Sequence, residues 1–485
     1  MCSSDLERVK YFLSAGVAVL LAVFITAASY SKAVYISDYI RSMAIRIFNL
    51  YGSSCGGVSL ISGDKYRAYV KTYAELPAGY FHFGSTLLYR APKNIRLPEL
   101  LLNSIEYTEF YKLHDYRKAF LNFNRVTGNI VNRGEIVVIS TPLHYFSNDV
   151  FAGRTPEIKF TRGLYFSGDR AGSPSFLSRL PYFKSIGINS IVFDVKDITG
   201  IVHLKNSRVR EVKELGLNRD GAIDNLPMLV RQCRKNGIYM IARISVFRDH
   251  LLYELDPSSR IRSGRTGRGW NHGTKELWCD PTNKKVQDYN IALAAELAAS
   301  GVDEIQFDYI RFPTAGDQDD AIFAWPDGKR SRVDEITGFL KRAHRKVASY
   351  DAFLSIDIFG VTAWGKDVDI QKLGQQIELL AANCDIISPM LYPSHFNDHF
   401  DGFARPGDHP YHFIFSGCKK VIELAGKKAL VRPWLQAFSW RVSRYNAEYI
   451  LEQVKAANDS GAYGYLFWNA SNKYDEVFRA MEELR

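Results

Sequence analysis

Asp308 and Asp357 have the residue type and the setting to work as a pair. Each lies in a run of alternating polar and apolar residues: Glu304-Ile305-Gln306-Phe307-Asp308 and Leu354-Ser355-Ile356-Asp357-Ile358. Alternate side chains of a strand face opposite ways. Ile305, Phe307 and Tyr309 would then share an outward face, and Glu304, Gln306 and Asp308 an inward one. Two carboxyl groups on adjacent strands suit cleavage of a glycosidic bond. One must ionise to attack or to activate water; the other must stay protonated and supply a proton to the leaving oxygen. A separation of roughly 5–5.5 Å implies retention of configuration and roughly 6.5–9.5 Å inversion. A guanidinium keeps a nearby carboxylate ionised, and Arg243 falls on the strand expected beside Asp308. Asp308 is therefore cast as nucleophile or charged partner, and Asp357 as the acid.

Other polar residues gather at the same strand ends. Asp194 and Lys196 share a face of one strand, Arg243 and Ser245 of the next, and Arg432, Trp434 and Gln436 of a later one. Burying unpaired charge is costly, so such a ring reads as a site with its own ion pairs. Asp194 with Arg243 reads equally well as a purely structural pair. The candidates for holding sugar hydroxyls or a charged group are Asp194, Lys196, Asp197, Arg243, Arg311, Tyr392 and Gln436. Trp325, Trp364, Trp440 and Trp468 come at or after strand ends, where flat aromatic faces suit sugar rings. Ordinary loop packing accounts for at least two of them; Trp364 and Trp468 join the binding set. His409-Pro410-Tyr411-His412 is not a metal spacing, and the six cysteines show no CxxC. Cys384 and Cys418 read as inert core thiols. No metal or other cofactor is expected.

The elements that must position these residues are regular from about Phe160. Strand-like and helix-like runs alternate eight times, with strands at Arg162–Ser167, Ile188–Asp194, Ile238–Val246, Asp303–Ile310, Phe353–Phe359, Ile386–Leu391, Ala429–Gln436 and Tyr463–Trp468. Helices are expected over 174–186, 224–236, 281–300, 332–349, 369–383, 410–425, 446–460 and 475–484. Gly187, Gly237, Gly301, Gly426 and Gly461 stand where helices end. Such alternation means right-handed βαβ units and a parallel sheet. Eight units in about 325 residues fit an α/β fold of the (β/α)8 TIM-barrel type, whose strand ends carry the active site. An open doubly wound sheet is the alternative, but Gly168-Asp169-Arg170-Ala171-Gly172 is a poor phosphate loop.

The rest of the 485 residues reads differently. Arg8 and Lys10 precede an apolar run from Tyr11 to Ala28, with small residues after it. This describes a signal peptide or membrane anchor over 1–30 that places the remainder outside the cytoplasm. Location is thus expected to be periplasmic, cell-envelope or extracellular, with membrane association through the N-terminal helix. Residues 31–155 hold no Trp and read as a small α+β domain. Within it, Tyr116-Arg117-Lys118-Ala119-Phe120, Phe123-Asn124 and Gly134-Glu135-Ile136-Val137-Val138-Ile139 weakly resemble the end of a LysM-type glycan-binding module. Residues 156–485 form the barrel. The net charge of +10 comes from residues spread along the chain, and with no dense basic run a nucleic-acid partner is not expected.

The motifs together resemble a known group. Thr161-Arg162-Gly163-Leu164-Tyr165, Ile191-Val192-Phe193-Asp194-Val195-Lys196-Asp197, Ile241-Ala242-Arg243-Ile244, Phe307-Asp308-Tyr309-Ile310-Arg311-Phe312-Pro313, Ser355-Ile356-Asp357-Ile358-Phe359-Gly360 and Ser388-Pro389-Met390-Leu391-Tyr392-Pro393 look like the glycoside-hydrolase-like barrels of many exported bacterial proteins. That group is similar to the α-amylase-like barrels, which keep an Asp on strand four and an acid, commonly Glu, on strand five. The resemblance implies a hydrolase of an extracellular or cell-envelope polysaccharide. A carbohydrate-binding barrel without catalysis, and a barrel enzyme of another class such as a lyase or deacetylase, are the competing expectations.

Overall fold

In the computed structural model, the described residues are 76–140 and 157–485, apart from isolated loop positions at 84, 85, 125, 127, 272, 273, 275, 327, 329 and 366. The apolar run from Tyr11 to Ala28, expected as a signal or anchor, lies outside them. Among the described residues, no helix is long and apolar enough to cross a membrane.

The chain divides into two compact units. One takes the described residues up to Leu101 and from Arg117 to Ser140. It has an antiparallel sheet of Tyr80–Phe83, Thr86–Arg90 and Ile136–Ser140. The Asn124 side chain closes it locally by donating to the Val138 carbonyl at 2.8 Å and accepting from the Val138 N–H at 2.6 Å.

The second unit takes Leu102–Tyr116 and the residues from 157 onward. Its strands are β1 Thr161–Phe166, β2 Ser190–Lys196, β3 Tyr239–Ser245, β4 Glu304–Asp308, β5 Phe353–Phe359, β6 Ile386–Met390, β7 Trp434–Gln436 and β8 Gly464–Trp468. Each pairs in parallel with the next, and β8 pairs with β1, so the sheet closes into a barrel. The helices are α1 Pro174–Ser185, α2 Leu226–Lys235, α3 Lys284–Ala299, α4 Arg332–Ala348, α5 Asp367–Leu373, α6 Pro410–Ala425, α7 Ala447–Ser460 and α8 Asp475–Glu483. This is the expected (β/α)8 architecture. The outward residues Ile305, Phe307, Leu354, Ile356 and Ile358 join the large apolar layer between strands and helices. Side-chain caps start helices where the sequence places them: Asn225 accepts from the Met228 N–H and Asn446 from the Tyr449 N–H.

Asn225 has a second role within this unit. Its amide donates to the carbonyls of Ile105 and Phe110, both at 2.8 Å, and Tyr111 donates its hydroxyl to the Ala171 carbonyl. Residues 105–111 are thereby fastened to the start of α2.

Two expected elements are broken. The strand expected over Ala429–Gln436 is interrupted after Leu430–Val431, because Pro433 has no N–H for the ladder. The helix expected over 369–383 is split into α5 and a turn at Ile377–Leu380. Gly374 between them has φ +77°, and a Cβ there would meet the Arg332 carbonyl oxygen at 2.7 Å. The break lets Gln375 fold back onto β5, where it accepts from the Phe359 N–H and donates to the Asp357 carbonyl.

Candidate active site

Strand register brings the carboxylates together. Asp194 pairs in register with Arg243, and Arg243 with Gln306. Phe307 pairs with Ile356, so the next rung sets Asp308 beside Asp357 at the C-terminal ends of β4 and β5. The Arg243 guanidinium stands among three acids. Nη1 donates to Asp194 Oδ1 at 2.5 Å, Nη2 donates to Asp308 Oδ2, and Nε lies 3.5 Å from Asp357 Oδ2. Two carboxylates that meet different nitrogens of one guanidinium are close neighbours.

Each acid has further partners. Asp194 accepts from the Tyr165 hydroxyl at 2.6 Å. Asp308 accepts from the Tyr309 backbone N–H at 2.6 Å, where Tyr309 turns to φ +53°. Asp357 accepts at Oδ1 from the Trp434 indole N–H at 2.7 Å, and its Oδ2 has no hydrogen bond.

One guanidinium does not neutralise three buried carboxylates, which favours protonation among them. Burial pushes the Asp357 carboxyl well up, and the neighbouring Asp308 charge adds to this against the opposing pull of Arg243 and Trp434. Burial raises Asp194 too, but Arg243 and Tyr165 hold it more closely. Asp357 has the longest contact with the guanidinium, and its Oδ2 makes no hydrogen bond. For Arg243 itself, burial works against the charge, and the surrounding acids outweigh it.

A cavity of about 470 Å³ opens over this cluster, lined by Arg243, Asp308 and Asp357. The loop after β3 adds Arg248, Glu276 and Trp278; the loop after β4 adds Tyr309 and Arg311. These two loops are joined by an antiparallel ribbon of Arg262–Ser263 with Ala321–Ile322, and the Trp270 indole donates to the Asp317 carbonyl at 2.8 Å. Phe359, Tyr392, His395, Trp434 and Trp468 complete an aromatic side. Gly360 permits the close approach of the β5 and β6 ends, since a Cβ there would lie 2.3 Å from the Met390 carbonyl oxygen.

Of the residues singled out from sequence, Asp308, Asp357, Arg243, Arg311, Tyr392 and Trp468 meet in this cavity. Asp194 lies behind them, 2% exposed, and braces Arg243. Four others do not line it. Lys196 is the main correction: a bulge between Asp194 and Lys196 breaks the alternation, so Lys196 does not share the face of Asp194. Its Nζ is fully buried against Asp249 at 2.6 Å and Asn290 of α3 at 2.8 Å. Asp197 folds its carboxylate onto the Thr199 N–H beyond the strand. Gln436 is buried, accepting from the Ser394 N–H and donating to the Phe438 carbonyl, which ties the β6 and β7 loops. Trp364 packs against Phe396 and Phe400, with centroids 5.0 and 5.2 Å away. Trp325 stacks on Phe312, and Trp440 is 55% exposed beside His395.

Sequence reasoning missed the role of Trp434, although it placed that residue on the inward face. Tyr165 and Tyr309 were visible only as parts of motifs. Glu276 and Trp278 sit in a long loop without periodicity, and no local pattern marks them. Among the described residues, no group of three His, Cys, Asp or Glu is arranged to hold a metal. Cys384 and Cys418 are free and buried, with thiol pKa values raised by burial.

No curated protein matches this sequence. A hypothetical protein from Ruminiclostridium thermocellum, known from a crystal structure, is 31% identical over 40% of this chain and 96% of its own, with a TM-score of 0.35. The PgaB (BpsB) glycoside hydrolase domain from Bordetella bronchiseptica superimposes with a TM-score of 0.50 at 13% identity, covering 67% of this chain and 98% of its own. The catalytic domain of β-amylase from Paenibacillus polymyxa gives a TM-score of 0.43 at 9% identity over 68% and 99% of the two chains. The second of these shares the barrel fold. The chain belongs to the family described as "Putative glycosyl hydrolase domain", whose model matches residues 163–474.

Proposed function

We propose that the chain hydrolyses a glycosidic bond in an extracellular or cell-envelope polysaccharide, with Asp357 as acid and Asp308 as the ionised partner. The observation that carries this reading is the asymmetry of the pair: two adjacent carboxyls bridged by one guanidinium, one ion-paired and the other pushed toward its protonated form. Glycoside hydrolysis requires such a division of protonation between two acids. The proton on Asp357 passes to the leaving oxygen as the bond from that oxygen to the anomeric carbon breaks. Asp308 meets the positive charge that develops at this carbon, either by bonding to it or by drawing a proton from an attacking water. Tyr392 and Trp468 offer ring faces to a sugar. Export through the N-terminal segment and a LysM-like glycan-binding role for residues 31–155 complete the proposal and fit a polymer outside the cytoplasm.

Release of reducing ends from a polysaccharide panel tests it. Asp308→Asn and Asp357→Asn should each lower the rate by about 10² to 10⁴-fold while the fold persists. Saturable glycan binding with no new reducing ends, in parent and variants alike, would mean a binding barrel instead.

A further inference from the structure

Resting on the reading of this cavity as a glycan site, we propose that it takes a carboxylate-bearing sugar, a uronate, and that Arg311 receives the carboxylate. Among the described residues of the barrel unit, Lys196, Arg311 and Arg432 are buried and Arg243 is nearly so, and all but Arg311 have buried acids as partners. Lys196 pairs with Asp249, Arg432 with Glu304, and Arg243 with its three aspartates. Arg311 is the exception. It is 8% exposed and lines the cavity, yet among the described residues no carboxylate lies within ion-pairing distance of it. Its hydrogen bond goes from Nη1 to the Phe312 carbonyl at 3.2 Å. A guanidinium has five donors, so most of its hydrogen-bonding capacity is unspent.

The surroundings hold the group in place without neutralising it. The guanidinium carbon lies 4.9 Å from the Trp278 ring centroid and 5.0 Å from that of Phe359. Aromatic faces fix the plane of a guanidinium and leave its edge for a ligand. The nearby acids are engaged elsewhere: Glu276 with Arg248 at 3.0 Å and the Trp278 indole at 3.2 Å, Asp308 with Arg243. Of the three arginines in the lining, Arg243 is held by Asp194 and Asp308 and Arg248 by Glu276, so Arg311 is the one without an acid partner among the described residues. A buried, unpaired cation is costly, and a planar carboxylate accepting two parallel N–H bonds is the ligand that fits its fork.

The test uses full-length Asp357→Asn, whose amide keeps the charge of the protonated acid and slows turnover. Oligogalacturonate, oligoglucuronate and oligomannuronate are titrated calorimetrically, each beside its carboxyl-reduced neutral counterpart. At least one uronate should bind about 10- to 100-fold more tightly than its counterpart, the effect of hydrogen bonds to a charged group. Adding Arg311→Met should bring that ratio near one, and Arg311→Lys should leave it intermediate, with folding checked by thermal melting. The proposal is overturned if every uronate binds no better than its neutral form, or if the ratio survives Arg311→Met. Arg311-dependent uronate binding with no cleavage by the parent would defeat the hydrolase reading alone. Cleavage of neutral glycans without uronate preference would defeat only this inference.

Discussion

Trp434 donates its indole N–H to Asp357 Oδ1 at 2.7 Å, joining the end of β7 to the end of β5. The bond stabilises the ionised carboxylate and so opposes the burial that raises its pKa. Trp434→Phe removes the donor and keeps much of the ring. Asp357 should then hold its proton to higher pH, and the alkaline limb of the kcat/KM profile should move upward. A limb that stays in place or moves to lower pH would show that Asp357 is not the acid whose ionisation ends activity.

The same raised pKa has a consequence for stability. A carboxyl whose folded pKa exceeds its unfolded one contributes fully below the unfolded value, and the contribution is lost as pH rises through the folded one. Desolvation and the Asp308 charge act in this direction at Asp357, against the pull of Arg243 and Trp434. Asn cannot ionise, and Arg243 keeps Asp194 and Asp308 as partners. Asp357→Asn should therefore melt above the parent once pH exceeds the ordinary carboxyl range, with a gap that widens as pH rises further. Calorimetric melting as a function of pH checks it; a variant that melts lower at every pH contradicts it.

The barrel was legible because its signals are local: alternation in β4 and β5, and glycines where helices end. The central acids were legible for the same reason, since alternation alone sends Asp308 and Asp357 inward. Two kinds of feature escaped. One is a single extra residue: the β2 bulge turns Lys196 away while its neighbours in sequence read as before. The other is long-range assembly. Glu276 reaches the cavity through a loop braced by Ala321–Ile322 and Asp317, more than 40 residues away in sequence. Trp364 and Gln436 stand at strand ends, yet packing partners on other loops draw them from the cavity.

Lys196 carries a prediction of its own. Its ammonium is fully buried, bonded to Asp249 and Asn290 and 4.8 Å from the Tyr289 ring centroid. Asp249 in turn caps the helix His250–Leu255 through the Leu252 N–H at 2.9 Å. Lys196→Met strands a buried carboxylate, at a cost of about 3–5 kcal/mol. Denaturant unfolding should show that loss. KM for the folded fraction should stay within about twofold of the parent's, since Lys196 does not touch the cavity. A large rise in KM without destabilisation would restore the residue to substrate binding.

Another ion pair lies inside the barrel below Asp308 and Asp357, and it bears on stability rather than on the cavity. Glu304, at the start of β4, and Arg432, between the two pieces of the seventh strand, are both fully buried and bonded to each other. Tyr239 donates to Glu304 at 3.1 Å and Arg432 donates to Thr161 at 3.3 Å, so the pair spans β1, β3 and β4. The hydrogen-bond partners named here do not line the cavity, and each charge meets an opposite one, whereas Arg311 has no ion-paired acid among the described residues. Arg432→Met should cost about 3–5 kcal/mol because Glu304 is left charged and unpaired. Glu304→Gln with Arg432→Met removes both charges, and most of the loss should return, because the cost lies in the stranded charge rather than in the missing attraction. A double variant as unstable as Arg432→Met alone would show that the pair's geometry, and not its charge balance, holds this layer of the barrel.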